Sequence, residues 1–170
     1  MISEKEYEID EICLKIIKDH LSYKAYPETY KELADEDTLE LEDILFRQKI
    51  IKLILNKECL VALDLVEEEE LRKLLIKQSF VELVQKNETD KALALGTEYL
   101  NKYDNDDIFS VIGYSDLQDI KIKHFFDENA SIDLSEKINE SLFENKKKRN
   151  ASLLMIAWFH YKSIQSFLHK

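Results

Sequence analysis

The chain has 170 residues, 45% of them hydrophobic and 35% charged, a formal net charge of −11, and only two Gly and one Pro. That length and composition fit one domain, or two small units sharing an interface, with enough apolar chain to bury a core, and they exclude a disordered chain. Tight turns usually draw on Gly, Pro, Asn and Asp, so the scarcity of Gly and Pro argues against an all-β fold, while the acidity opposes nucleic acid or an anionic membrane as partner.

The expected class is all-α. Ile9, Ile12, Cys13, Ile16, Ile17, His20 and Leu21 recur at three- and four-residue steps, which predicts a first amphipathic helix. A break is expected at Ser22–Tyr26, with Pro27 as the first residue of a brief second helix whose Tyr30, Leu33 and Ala34 face inward. Two such short helices cannot bury both stripes against each other, so the pair calls for a partner, most economically a second copy. An acidic loop, Asp35–Thr38, follows.

Leu41–Glu68 then repeats as Leu71–Glu98, shifted by thirty positions. Leu41 pairs with Leu71, Leu45 with Leu75, Gln48 with Gln78, Leu53 with Leu83, Glu58 with Glu88, Ala62 with Ala92 and Leu63 with Leu93. Each copy reads as a longer helix, a polar turn (Asn56–Glu58; Lys86–Asp90) and a shorter helix, capped in the second copy by Thr89 or Asp90. Such hairpins stack side by side. Past the polar stretch Asn101–Asp107, short apolar segments fall at Ile108–Tyr114 and Ile120–Phe126, and Asp133 is a candidate cap for a helix carrying Leu134, Ile138, Leu142 and Phe143. A final helix from Asn150 places Leu154, Ala157, Trp158, Tyr161, Ile164 and Leu168 at core spacing. Its apolar arc is wide enough that burial among the earlier hairpins is expected, with Trp158 largely enclosed.

Chemistry is sparse. His20, His124, His160 and His169 are scattered away from any metal-ligand spacing, and His160 reads as a helix-face residue. No Gly-rich phosphate loop occurs; Gly96 reads as a close-packing position. No nucleophile elbow is present, and Cys13 and Cys59 sit at apolar helical positions, as buried free thiols would. Glu67–Glu70 reads as a solvated helix end. The run Lys146–Arg149 suits a nuclear-import signal, a contact for an acidic partner or, more plainly, an exposed interhelical loop. No signal peptide is apparent at Met1–Glu4, and no apolar run approaches the roughly 20 residues of a membrane span, so a cytoplasmic or nuclear protein is expected. Neither catalysis, a metal nor a cofactor is expected.

A family resemblance runs through these residues. Ile16-Ile17, Leu21, Tyr26, Thr29, Leu33 and Glu36 resemble the LisH dimerisation motif, L-I-x-x-Y-L-x-x-x-G followed by Tyr or Phe, with His20 in place of its Tyr and Ala25 in place of its Gly. Arg47, Ile51, Ile54 and Ala62, then Gln78, Phe80, Val81, Glu82-Leu83-Val84 and Ala92-Leu93, are similar to the CTLH region. Val111-Ile112-Gly113-Tyr114, Ile138-Asn139 and Leu153–Trp158 resemble the CRA region, whose S-P-F turn is not recognisable around Ile122–Phe126. The resemblance divides the chain into a LisH-like motif (8–38), CTLH-like hairpins (39–102) and a CRA-like region (103–170).

It implies a scaffold subunit of a GID/CTLH ubiquitin ligase, without catalysis of its own, linking RING and substrate-receptor subunits for proteasomal degradation. It further implies homo- or hetero-dimerisation through Ile12, Ile16, Ile17, Leu21, Tyr26 and Leu33, with Leu154, Trp158 and Tyr161 as the core of the closing helix. An oligomerisation adaptor of another intracellular assembly, cytoskeletal or chromatin, is the alternative.

Overall fold

The computed structural model describes residues 4–34, 38–100, 102, 107–113, 126–127 and 129–168. Among them the chain is all-helical, with no strand. The helices are α1 (Glu4–Tyr23), α2 (Pro27–Leu33), α3 (Thr38–Leu55), α4 (Cys59–Leu63), α5 (Glu69–Gln85), α6 (Thr89–Leu100), α7 (Ala130–Lys147) and α8 (Leu153–Leu168), with a 3-10 turn at Asp107–Gly113 between α6 and α7. Asp35–Glu36, most of Asn101–Asp107, Tyr114, Ile120–Phe125, His124 and His169 lie outside the described residues.

Compactness divides the chain differently from the linear order of the motifs. One unit comprises Met1–Lys49 with Lys137–Lys170, the other Ile50–Glu136, so the boundaries fall inside α3 and α7.

In the first unit α1 runs to Tyr23, two residues into the expected break, and Pro27 opens α2, where its missing N–H costs nothing. Between them Ala25 takes φ 54, left-handed backbone that favours glycine, and its small side chain is buried. α7 begins earlier than Asp133 suggested. Asn129 O accepts the Asp133 N–H at 2.9 Å, so Asn129 holds the cap position and Asp133 lies in the first turn, where the helix dipole favours an acid. α8 likewise begins after Ser152, not at Asn150: Ser152 O accepts from Ile156 N–H and Ser152 Oγ from Met155 N–H, the two marks of a capping serine.

The second unit carries the repeat in its turns. Lys57 and Asn87, thirty positions apart, both take left-handed backbone, at φ 59 and φ 57. Around each, the same bonds recur: Glu58 N–H to Leu53 O and Glu88 N–H to Leu83 O, each 2.9 Å, then Ala62 N–H to Glu58 O and Ala92 N–H to Glu88 O. This is a left-handed helix stop followed at once by a new helix start, executed twice. Glu88, not Thr89 or Asp90, occupies the cap position of α6. The core of this unit gathers Phe80, Leu83, Ala92 and Val111, with Val84, Leu95, Phe109, Ile112 and Phe126 against it. Gly96 is a close-packing position, as its sequence context suggested. A Cβ there would lie 3.3 Å from Phe109 and 3.6 Å from Phe80, whose ring meets Phe109 edge-on at 4.8 Å.

α4, only five residues long, is too short to hold itself and is clamped by α5. Arg72 donates to Leu63 O at its C-terminal end and to Val66 O beyond it, while Glu82 accepts from Cys59 N–H and Lys86 donates to Lys57 O at its N-terminal end.

Candidate interaction surface

The first unit is organised around a buried cation. Along α3, Ile44, Arg47, Ile50 and Ile54 follow one another on a buried stripe, and Arg47 is 1% exposed. Its guanidinium donates to Asp43 at 3.0 Å, to Asn139 Oδ1 at 2.8 Å and to Ser22 O at 2.8 Å, and lies 5.5 Å from the Phe143 ring centroid. Asn139 Nδ2 in turn donates to Tyr23 O at 2.8 Å, and the Tyr23 ring meets Phe143 edge-on. The α1–α2 turn, α3 and α7 are thus joined by one polar network in which each buried partner is satisfied.

A second layer surrounds it. Glu40 accepts from the Ser22 hydroxyl and from Lys147 at 2.7 Å. Burial pushes its carboxyl up, but the hydrogen bonds from Lys147 and Ser22 and the charges of Lys147 and Lys146 outweigh that and hold it below the usual carboxylate range. Lys146 pairs with Asp43 at 3.4 Å, and Arg149 pairs with Asp19 and donates to Ala151 O. The basic run is therefore not a loop of idle lysines. Lys146 and Lys147 form the last turn of α7, and three of its four cations are held in ion pairs, leaving Lys148 exposed.

These pairs also fix where α8 starts. Asp19 Oδ2 accepts the Leu153 N–H at 2.7 Å, and His20 Nδ1 lies 2.9 Å from the Ser152 hydroxyl. An acid at the first turn of α8 suits the helix dipole, so the end of α1 is an anchor for the beginning of α8.

Beyond these anchors both helices are bare. On α1 every described side chain from Glu8 to Lys15 is exposed, including Ile9, Ile12 (55%), Cys13 and Leu14. Cys13 is therefore not the buried thiol its apolar spacing suggested, whereas Cys59 is buried. Of the other residues expected on a dimer surface, Ile17 and Tyr26 are exposed, and Ile16, Leu21 and Leu33 are half-buried.

The expectation for Leu154, Trp158 and Tyr161 is overturned. They form no core: Trp158 is 54% exposed, Leu154 and Tyr161 are exposed too, and α8 has no buried residue. The physical reason is the helix's setting. α8 belongs to the unit of α1, its neighbour there, and nothing among the described residues covers it past Ile156 except in part Gln165. Local contacts tidy its surface without covering it: Trp158 stacks on Tyr161 at 5.7 Å, Lys162 lies over the Trp158 ring at 4.9 Å, and Gln165 donates to Tyr161 Oη at 2.6 Å.

The bare face has a definite pattern. Leu154, Ala157, Tyr161, Ile164 and Leu168 recur at alternating three- and four-residue steps, the seam spacing by which one helix packs against another, and Trp158 and Phe167 widen it. α8 contains no acid, although the chain is acidic overall. An exposed apolar helix of this width marks an interaction surface. Sequence reasoning found the α1 stripe and the α8 arc but not the hub. The available signal was Arg47 itself, a charged residue three positions from Ile44 and from Ile50 on an otherwise apolar stripe.

Among the described residues no group of three or more His, Cys, Asp or Glu side chains could hold a metal ion, and no helix is long and apolar enough to cross a membrane. His160 lies exposed on α8. No family model, curated protein or solved structure matches the chain.

Proposed function

We propose that the chain is a scaffold subunit of a GID/CTLH-type ubiquitin ligase, without catalysis of its own, that assembles through α1 and α8 and holds RING and substrate-receptor subunits together. The observation that carries this reading is the bare apolar surface of α1 and α8 anchored on a rigid polar hub. A chain that leaves Trp158, Phe159, Ile164 and Phe167 in water is built to be covered by a partner. The order of LisH-, CTLH- and CRA-like motifs supports the choice of assembly. The mechanism is positional: joining receptor and RING on one frame raises the effective concentration of substrate at the ligase.

The test is affinity purification from the native cell with mass-spectrometric identification of partners, for the wild type and for Ile12→Asp/Trp158→Asp. RING-type and receptor-type subunits should accompany the wild type and be depleted with the variant. A partner set without ligase subunits would overturn the reading, as would ubiquitin-chain formation by the purified chain with only activating and conjugating enzymes.

A further inference from the structure

Buried polar atoms nearly always find a partner, and an exception asks for a reason. The second unit holds one. Glu82 is 3% exposed, and its Oε1 has no hydrogen-bond partner among the described residues. Oε2 accepts the Cys59 N–H at 3.2 Å and so caps α4. The carboxylate's other neighbour is the Cys59 thiol, a weak donor whose pKa is pushed up by burial and then by Glu82 itself. A weak donor offsets little of the cost of burying a carboxylate.

Glu82 lines a groove of about 230 Å³ between α4, α5 and the start of α6, with Leu60, Val61 and Glu58 on its α4 side. Lysines line it too but are committed elsewhere: Lys86 donates to Lys57 O at 2.9 Å, and Lys91 pairs with Glu88 at 2.6 Å. Ser79, also in the lining, gives its hydroxyl to Leu75 O. The lining thus includes a buried acceptor, apolar walls from the exposed Leu60 and Val61, and a second carboxylate on the exposed Glu58. That set suits a cationic head on an alkyl stem.

We propose that this groove receives an arginine or lysine side chain of a partner polypeptide, its head donating to Glu82 Oε1 and its stem lying against Leu60 and Val61, which part to admit it. Arginine fits better, because its planar fork offers several donors to a lining that holds two carboxylates, Glu82 and Glu58. The acidity of the chain steers basic partners toward it. A carboxylate kept buried and half-satisfied costs stability, a cost typical of groups retained for binding. The proposal stands apart from the ligase reading.

The experiment titrates the full-length, isotope-labelled chain with the peptide Ac-Leu-Arg-Leu-NH2 and with the same peptide carrying Gln at its centre, following backbone amides. The arginine peptide should shift the amides of Cys59, Leu60, Val61 and Glu82, and the Gln peptide should need at least about tenfold higher concentration, as expected for losing a charge-assisted hydrogen bond. Glu82→Gln retains a carbonyl for Cys59 N–H. It should raise Tm by about 2–4 °C, what about 1 kcal/mol produces in a chain of this size, and abolish the arginine response. Val61→Arg, at an exposed position, should weaken that response by at least about tenfold by filling and repelling. A lower Tm for Glu82→Gln would mean that the fold itself satisfies the carboxylate, and equal responses to both peptides or an undiminished response in Val61→Arg would mean that the groove does not read the cation; each would overturn the proposal.

Discussion

α5 and α8 are of similar length, yet the more apolar of the two is the one in water. α5 carries three glutamates, two lysines and an arginine and still buries Leu71, Leu75, Ile76, Phe80, Val81 and Leu83; α8 has one lysine, no acid and no buried residue. Hydrophobicity states how strongly a helix seeks cover, and topology decides whether the chain itself provides it. α5 lies between α4 and α6 in its own unit, while α8 meets α1 at its first turns and continues uncovered.

The comparison breaks most directly at the two large aromatics. Phe80→Ala empties a core position on α5 and should cost about 3–5 kcal/mol in urea unfolding. Arg47→Ala should cost a similar 3–5 kcal/mol, because it leaves Asn139 Oδ1 and Ser22 O without their donor inside a buried network, and Arg47→Met should cost less. Trp158→Ala, although it removes a larger side chain, should change the unfolding free energy of the dilute chain by less than about 1 kcal/mol, since its ring is already in water. Its effect should appear in assembly instead, with the partners captured by the wild type depleted from affinity purifications of the variant. Equal losses of stability for Phe80→Ala and Trp158→Ala would abolish the distinction between the helices.

The hub predicts a pH dependence confined to the first unit. Glu40 is held below its ordinary range when folded, so the stability it contributes is fully present above its unfolded pKa of about 4.3 and is lost as pH falls through the lower folded value. Thermal melts of Glu40→Gln should therefore lie below wild type near neutral pH and converge with it in acid. Curves that stay parallel from pH 7 to 3 would exclude Glu40 as the source. The smallest effect separates the two turns of the repeat. Lys57→Gly should stabilise by about 1 kcal/mol and Asn87→Gly by less than half of that, because asparagine already tolerates left-handed backbone.

Much of this fold was legible because it is local. The α1 stripe, Pro27 at the start of α2, the doubled hairpin and the tight packing at Gly96 all follow from spacings within a few turns. The hub was not, because its partners Arg47 and Asn139 are far apart in sequence and a charged residue on a stripe does not announce what will satisfy it. The helix starts slipped for a related reason: α7 begins after Asn129, ahead of Asp133, and α8 begins later than Asn150, after Ser152, whose carbonyl and hydroxyl both serve its first turn. For α8 the pattern predicted burial, and the structure leaves the helix exposed. Period and apolar content carry no record of which molecule does the covering.

The bare α8 has a consequence for the life of the chain before assembly. A newly made copy carries Phe159, Ile164, Phe167 and Leu168 uncovered, the kind of surface that chaperones hold and proteases read. On the proposed reading, binding of a partner removes that surface by mass action. The cellular level of the chain should therefore follow the supply of its partner, with surplus copies cleared as orphans while assembled ones persist.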